Sequence, residues 1–183
     1  CPDCGVSYVP YPLSTDDSCG LPNYRIFCNN NQLEFKSLDG IFYPITDIDP
    51  WFHRLVIRPS ALVTDSCASA DFSVGGFYLD EKLPFNISKR NTVMLLNCSE
   101  RLLLSPLNCT STSLCHRYEN EIEEAMACKD KLCCTYLKDT SYTAHRIRVH
   151  EGGCSAYTSV VDINSTLPPK AWNYGVEIEW IPL

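Results

Sequence analysis

The sequence predicts a mainly β fold, at the margin of α+β, with one helix in the C-terminal half, many disulfides and two closely packed lobes. Three observations predict this class. The chain of 183 residues contains 12 cysteines. Short runs of β-branched and aromatic residues alternate with Gly, Pro, Asn and Asp breakers, and a single segment has helical periodicity. A chain of this length forms one domain or two small ones, with enough residues to bury a core.

The strand predictions rest on short apolar or alternating runs. The run at 143–150 alternates cleanly, with Arg146 on one face and Ile147 on the other. The last run alternates in the same way and places Glu177 and Glu179 on one face. The runs predict strands at 24–27, 33–35, 41–48, 55–57, 77–79, 93–96, 143–150, 154–161 and 175–181.

The segment 113–131 is predicted to be the one helix. Its apolar residues recur at steps of three or four, as on one face of a helix: Cys115, Tyr118, Ile122, Ala125 and Met126. The glutamates between them could form a cation site or a solvated helix face. We favour the solvated face, because ligand carboxylates for calcium usually converge from separate elements.

The cysteines predict a disulfide framework formed in an oxidising compartment, because their number is even and their density is high. No metal site is expected. The chain has one Cys-x-x-Cys pair, Cys1 and Cys4, and its four histidines do not follow zinc-finger spacing. The sequence leaves the pairing open among Cys1, Cys4, Cys19, Cys28, Cys67, Cys98, Cys109, Cys115, Cys128, Cys133, Cys134 and Cys154.

Four Asn-x-Ser/Thr sequences independently indicate an extracellular protein with N-linked glycans. They begin at Asn86, Asn97, Asn108 and Asn164. Cysteine in the middle position favours poor use of the second and third of these sequences. The chain begins at Cys1 without an initiator methionine or an apolar leader, so we expect a processed, secreted fragment.

Charge and hydropathy exclude two kinds of partner. The 15 basic and 22 acidic side chains give a net charge of −7, whereas proteins that bind nucleic acid carry a basic footprint. No apolar run approaches the roughly 18 to 20 residues that cross a bilayer. We therefore expect neither nucleic acid nor direct membrane contact for this fragment.

Several cysteine-containing strings resemble the extracellular region of plant wall-associated receptor kinases and their kinase-like branch. The opening Cys-Pro-Asp-Cys-Gly, Cys19-Gly20 and the string at 24–28 are similar to the family's cysteine-rich galacturonan-binding domain. Cys133-Cys134 and the closing Trp172 to Trp180 segment are similar to the kinase-associated C-terminal module. The resemblance implies a galacturonan-binding-like domain at 1–98 and a C-terminal module at 99–183. Tyr-Pro-Leu-Ser at 11–14 and the lack of an epidermal-growth-factor repeat point to the kinase-like branch.

The resemblance also implies a function. It implies a ligand-binding region on the apoplastic face of the plasma membrane, joined in the full-length protein to a transmembrane helix and a cytoplasmic serine/threonine kinase. The implied ligand is cell-wall pectin, as de-esterified galacturonan or oligogalacturonides. No cofactor is expected apart from the glycans. Calcium is considered only as a bridge between pectate and surface carboxylates such as Asp47 and Asp49.

A polyanion such as pectate is repelled by a chain of net charge −7, so binding requires a local basic patch. The first candidate patch is the strand face formed by Arg146, Arg148 and His150. Arginine suits this task because it can form paired hydrogen bonds with a carboxylate. The alternative is that exposed arginines protect an edge strand against aggregation.

The second candidate patch combines His53, Arg54 and Arg58 with the neighbouring Trp51. An aromatic ring can stack on a sugar face while a cation holds the acid group. The alternative is that Trp51 fills the core, because large aromatic residues dominate the cores of small domains.

No catalytic residue is predicted in this fragment. The 22 acids contain no pair singled out for glycoside hydrolysis, and a Gly-x-Ser-x-Gly sequence is absent. An even number of cysteines leaves no thiol obviously spare. Two binding functions stay open. One is pectin sensing, and the other is recognition of an extracellular protein such as a secreted peptide, a pathogen protein or a co-receptor.

Overall fold

The computed structural model describes residues 1–59, 67, 76–100, 109–136, 143–149 and 153–183, with the backbone alone for 134–136. The fold is mainly β, with 37% of residues in strands and 14% in helices, which confirms the predicted class. The helix α1 comprises Leu114–Glu121. The strands are β1 Phe27–Asn29, β2 Gln32–Lys36, β3 Phe42–Asp49, β4 Arg54–Ile57, β5 Gly76–Tyr78, β6 Phe85–Ile87, β7 Asn91–Cys98, β8 Leu132–Tyr136, β9 Arg146–Arg148, β10 Ala156–Val161 and β11 Val176–Trp180.

The described strands form three antiparallel sheets. Their strand orders are β1-β2-β3-β4-β11-β6, β10-β7-β8 and β5-β9. The last strand, β11, lies between β4 and β6, so that Ile178 pairs with Leu55 on one side and Ile87 on the other. The C-terminal strand therefore completes a sheet built from residues of the first half. The domain boundary after Cys98 stays a prediction.

Strand β7 separates two hydrophobic cores. Val93 and Leu95 belong to the core beneath the six-stranded sheet, whereas Met94 and Leu96 belong to the core that contains α1. All four side chains have no exposed surface. This division follows from the two-residue period of a strand, which directs successive side chains to opposite faces. Strand β7 thus contributes side chains to both hydrophobic cores.

The predicted helix at 113–131 is two shorter pieces. Its start is as expected, because the Ser113 side chain accepts a hydrogen bond from the backbone N–H of His116. Ile122 adopts extended backbone angles, φ −109° and ψ 123°, and a 3-10 segment, Glu123–Cys128, follows. Met126 is consequently 52% exposed, although the helical periodicity predicts it on the buried face.

Five disulfides are described, and no described cysteine is free. Cys109 is also disulfide-bonded. Two of the five hold the N-terminal segment, one ties β7 to the start of β10, and two flank the helical region. The pairs are Cys1–Cys19, Cys4–Cys28, Cys98–Cys154, Cys67–Cys128 and Cys115–Cys133.

Candidate functional site

A groove of ≈ 600 Å³ lies where the six-stranded sheet meets the helical side of the molecule. One wall comes from Pro44 in β3 and from Arg58, which follows β4. The other comes from α1, β10 and the segment before β11. The side chains with polar groups that line it include Arg58, Tyr118, Glu124, Tyr157, Lys170 and Tyr174.

Backbone contacts fix the two walls of the groove. The N–H of Arg58 donates to the carbonyl of Pro44 at 3.0 Å, and the N–H of Gly175 donates to the carbonyl of Ser159 at 2.9 Å. Gly175 has a φ of +146°, and a Cβ there would lie 2.6 Å from Val56 Cγ1 and 2.8 Å from the Ile57 carbonyl oxygen. Glycine therefore lets the chain pass close to β4 at the floor of the groove.

Two tyrosines form the aromatic side of the groove. The rings of Tyr118 and Tyr174 are 5.6 Å apart between centroids, and the Tyr174 hydroxyl donates to the Pro169 carbonyl at 2.7 Å. Burial raises the pKa of both hydroxyls, and the carboxylate of Glu124 raises both further. Both phenols therefore stay neutral, so the rings offer apolar faces without a negative charge.

The two cationic side chains of the groove, Arg58 and Lys170, have no polar partner among the described residues. Within the described part of the chain, the side chains of Arg58 and Lys170 form neither an ion pair nor a hydrogen bond. Lys170 lies in a short 3-10 turn, Pro169–Ala171. Glu124 is the acid that faces them. The groove can therefore hold an anionic group beside a stackable ring, which requires both a cation and an aromatic side chain.

The structure divides the second predicted patch. Arg54 and Arg58 lie at opposite ends of β4, about 13 Å apart at roughly 3.3 Å per residue. Arg58 lines the groove, whereas Trp51 lies in the β3–β4 turn and is 88% exposed. The core interpretation of Trp51 is thus wrong. Asp49 Oδ1 accepts the backbone N–H groups of Trp51 and Phe52 at 3.0 and 3.2 Å, which closes a tight turn at the surface.

Arg54 and His53 have partners in the fold. The guanidinium of Arg54 lies 5.1 Å from the centroid of the Phe52 ring, and its Nε lies 3.7 Å from Glu177 Oε1. The His53 ring contacts Trp180 at 5.7 Å between centroids, and the His53 carbonyl accepts the Trp180 N–H at 2.9 Å. Their proposed role in ligand binding stays a prediction.

The first predicted patch lies on the two-stranded sheet. As the alternation predicts, Ile147 and Val149 are buried while Arg146 and Arg148 are half-buried. Arg146 lies 3.5 Å from the carboxylate of Glu81. His150 lies outside the described residues, so its position relative to the arginines stays a prediction.

The glycosylation sequences lie in different surroundings. Asn164 is exposed, and its side-chain oxygen accepts hydrogen bonds from the N–H and hydroxyl of Thr166 at 3.0 and 2.6 Å. Asn86 is half-buried in β6, and Asn97 donates to the Ser155 hydroxyl at 3.3 Å. Asn108 lies outside the described residues. Glycosylation of all four stays a prediction.

The sequence did not predict a cluster of possible metal-ligand atoms that α1 and β8 bring together. One ligand atom each from His116, Glu119 and Cys133 lie within 4.8 Å of one another. The sulfur of Cys133 belongs to a disulfide with Cys115, so it offers no thiolate. His116 and Glu119 alone are fewer ligands than a zinc site uses. His116 Nδ1 lies 2.7 Å from Glu119 Oε1, and the other carboxyl oxygen, Oε2, has no partner among the described residues.

Replacement of Glu119 by Gln should reduce the pH dependence of stability. Burial raises the pKa of Glu119 above its ordinary value of 4.5, against the hydrogen bond from His116. The folded chain therefore binds this proton more tightly than the unfolded chain. The associated stability is present in acid and is lost as the pH rises through the folded pKa. Urea unfolding from about pH 4 to pH 7 should show a steeper decline for the native sequence than for Glu119→Gln. Parallel profiles would contradict this assignment.

Comparison with known proteins identifies relatives along nearly the whole chain. The chain is 46% identical over 187 residues to wall-associated receptor kinase-like 20 of Arabidopsis thaliana, and 40% identical over 189 residues to wall-associated receptor kinase-like 15. Each match covers 98% of this chain but 28% and 30% of the respective relative. No family model and no solved structure matches. No helix in the described ranges is long and apolar enough to cross a membrane. The chain is therefore similar along nearly its whole length to this region of the wall-associated receptor kinase-like proteins, which confirms the resemblance seen in the sequence.

Proposed function

We propose that this chain is the extracellular ligand-binding region of a plant receptor-like kinase and that it senses de-esterified galacturonan or oligogalacturonides from cell-wall pectin. In this proposal the kinase activity belongs to the remainder of the full-length protein at the plasma membrane, and this fragment catalyses no reaction. The disulfides support an oxidising, extracellular location. The names of the two relatives support the receptor-kinase context.

The groove that contains Arg58 carries the proposal. A galacturonate residue presents a carboxylate, ring hydroxyls and an apolar ring face. The free cations of Arg58 and Lys170 can pair with the carboxylate, and arginine can do so through two parallel hydrogen bonds. The half-buried ring of Tyr174, which packs against the buried Tyr118, supplies the apolar surface for the sugar face.

The charge balance gives the groove a defined salt response. The whole chain, at −7, repels a polyanion at long range. The described lining of the groove has two cations and one acid, Glu124, while Glu121 and Glu123 line an adjoining concavity with Lys170. Long-range repulsion is screened by salt more strongly than close pairing within a groove. Binding should therefore persist at physiological salt.

Removal of both groove cations should abolish most galacturonide binding. A hydrogen bond to a charged group contributes about 1.5–3 kcal/mol, so Arg58→Ala with Lys170→Ala should weaken binding of de-esterified oligogalacturonides by at least about tenfold. Glu124→Gln should strengthen it, because it removes the one acid of the groove. Isothermal titration with size-defined oligogalacturonides, free acid and methyl ester, measures both effects.

The matched control removes two exposed lysines elsewhere, Lys36→Ala with Lys82→Ala, and should bind as the native chain does. Equal binding by the groove variant and this control would reject the groove. Selective loss in Arg146→Ala would instead assign binding to the β9 patch. A chain that binds neither the free acid nor the ester would exclude pectin sensing and favour recognition of an extracellular protein.

A further inference from the structure

A second, smaller pocket of ≈ 210 Å³ lies beside the β3–β4 hairpin and is lined by residues of the N-terminal segment, β2 and β3. Tyr8 and Pro10 form one side of it, and Asp47, Ile48 and Pro50 form the other. It shares no lining residue with the Arg58 groove. It is therefore a separate concavity on the surface.

Two exposed aromatic side chains follow directly after the lining residue Pro50. Trp51 is 88% exposed and Phe52 is 65% exposed, while the other two tryptophans, Trp172 and Trp180, are 6% and 2% exposed. Adjacent exposed aromatic side chains of this kind mark a candidate interaction site. Tryptophan is also among the residues that contribute most to protein interfaces.

The pocket is electronegative. The carboxylate of Asp47 is exposed and forms no hydrogen bond or ion pair with any residue that the structure describes. No lysine, arginine or histidine is among the described residues that line the pocket. The neighbouring Asp49 differs, because its carboxylate is occupied by the turn amides of Trp51 and Phe52. Among the described residues that line the pocket, Asp47 is thus the one acid, and its carboxylate is free.

We propose that the Asp47 pocket binds an arginine side chain presented by a protein partner. Its guanidinium would pair with the Asp47 carboxylate, while the stem packs against Tyr8, Pro10 and Pro50. Trp51 would cover the exposed side of the guanidinium through a cation–π contact. Charge complementarity favours this occupant over an acidic sugar, because the pocket and the chain as a whole, at −7, both attract cations.

The hairpin holds this surface in place before a partner arrives. The Asp49 carboxylate closes the turn, and the backbone of Asp49 lies opposite that of Arg54 in the β3–β4 register. The His53 carbonyl accepts the N–H of Trp180 from β11. Binding then requires little ordering of the backbone, which is one of the main costs of association.

The probe for this proposal is a blocked tripeptide with a central arginine, compared with the same tripeptide containing citrulline. Citrulline keeps the shape of arginine but lacks its charge. The readout is the ¹⁹F NMR signal of Trp51 in 5-fluorotryptophan-labelled chain, assigned with Trp51→Phe. We expect saturable shifts with the arginine peptide at low salt, at least tenfold weaker binding of the citrulline peptide, and loss of binding in Asp47→Asn.

Asp39→Asn is the matched control, because Asp39 is an exposed acid in the turn at the other end of β3. It changes the net charge by the same amount and should leave binding intact. Equal binding of the two peptides, or unchanged binding in Asp47→Asn, would overturn the proposal. The Arg58→Ala, Lys170→Ala variant should still bind the arginine peptide, so failure of pectin binding and failure of this site are measured separately.

Discussion

Reduction of the disulfides should unfold the chain in the absence of denaturant. The five described bridges join residues 18 to 61 positions apart, and each bridge of this kind typically stabilises a protein by about 2–4 kcal/mol. Their sum is comparable with or greater than the roughly 5–15 kcal/mol by which an entire domain is stable. The noncovalent interactions of a chain of this size are therefore not expected to maintain the fold alone.

Near-UV circular dichroism before and after complete reduction measures this effect, with thiol titration to establish that reduction is complete. The signal of the buried Trp172 and Trp180 should be lost. Alkylation followed by removal of the reductant should not restore it, whereas reoxidation without alkylation should. A native spectrum in the fully reduced, alkylated chain would show that packing alone holds the fold.

Substitution of the buried Glu177 should cause a large loss of stability. Glu177 in β11 is only 4% exposed although its side chain is a carboxylate. Its Oε1 accepts the Ser88 hydroxyl at 2.8 Å and lies 3.3 Å from Arg90 Nε and 3.7 Å from Arg54 Nε. Its backbone N–H donates to Asn91 Oδ1 at 2.8 Å. One carboxylate thus compensates two guanidinium groups from different elements.

Glu177→Ala leaves both arginines and the Ser88 hydroxyl without this carboxylate and removes a buried side chain. Removal of one partner from a buried ion pair costs about 3–5 kcal/mol. We expect about 3 kcal/mol, because the side chain of Arg90 is 41% exposed and partly solvated. Glu177→Gln, which keeps the volume, should cost less. The free energy of unfolding in urea, with the disulfides intact, gives the comparison.

Glu179 provides the matched control. It lies two residues further along β11, on the same face of the strand and opposite Arg54 of β4, but it is half-buried and forms no ion pair among the described residues. Glu179→Ala should change the free energy of unfolding by less than about 1 kcal/mol. If Glu177→Ala proves no more damaging than Glu179→Ala, the network does not contribute to stability.

Local sequence patterns predicted most strands but not which strands lie next to one another in the sheets. The alternation of β11 places Glu177 and Glu179 on one face, yet it carries no information on which strands flank it. Because β4 and β6 lie on either side, Glu177 is buried. Strand β8 was not predicted, since Leu132–Tyr136 is a short run that contains adjacent cysteines and follows a segment of helical periodicity.

The groove was predicted only in part for a similar reason. Arg58 stands out in the sequence beside Trp51, but the β4 strand carries it away from that turn. Lys170 lies in a Pro-rich segment without periodicity, so no local signal connects it with Arg58. Tyr118 was correctly predicted as a buried helix residue. Its second role, facing the groove, depends on the packing of α1 beside β10 and β11.

The sharing of strand β7 by the two cores has a thermodynamic consequence. Because β7 supplies Val93 and Leu95 to one core and Met94 and Leu96 to the other, neither core can melt alone without exposing apolar surface of its neighbour. The groove lies between the same two parts of the molecule. Arg58 belongs to the side of the first core, and Tyr118 and Tyr174 belong to the side of the second. A ligand held there is linked to the global unfolding equilibrium, so occupancy should raise the melting temperature of the entire molecule in one transition.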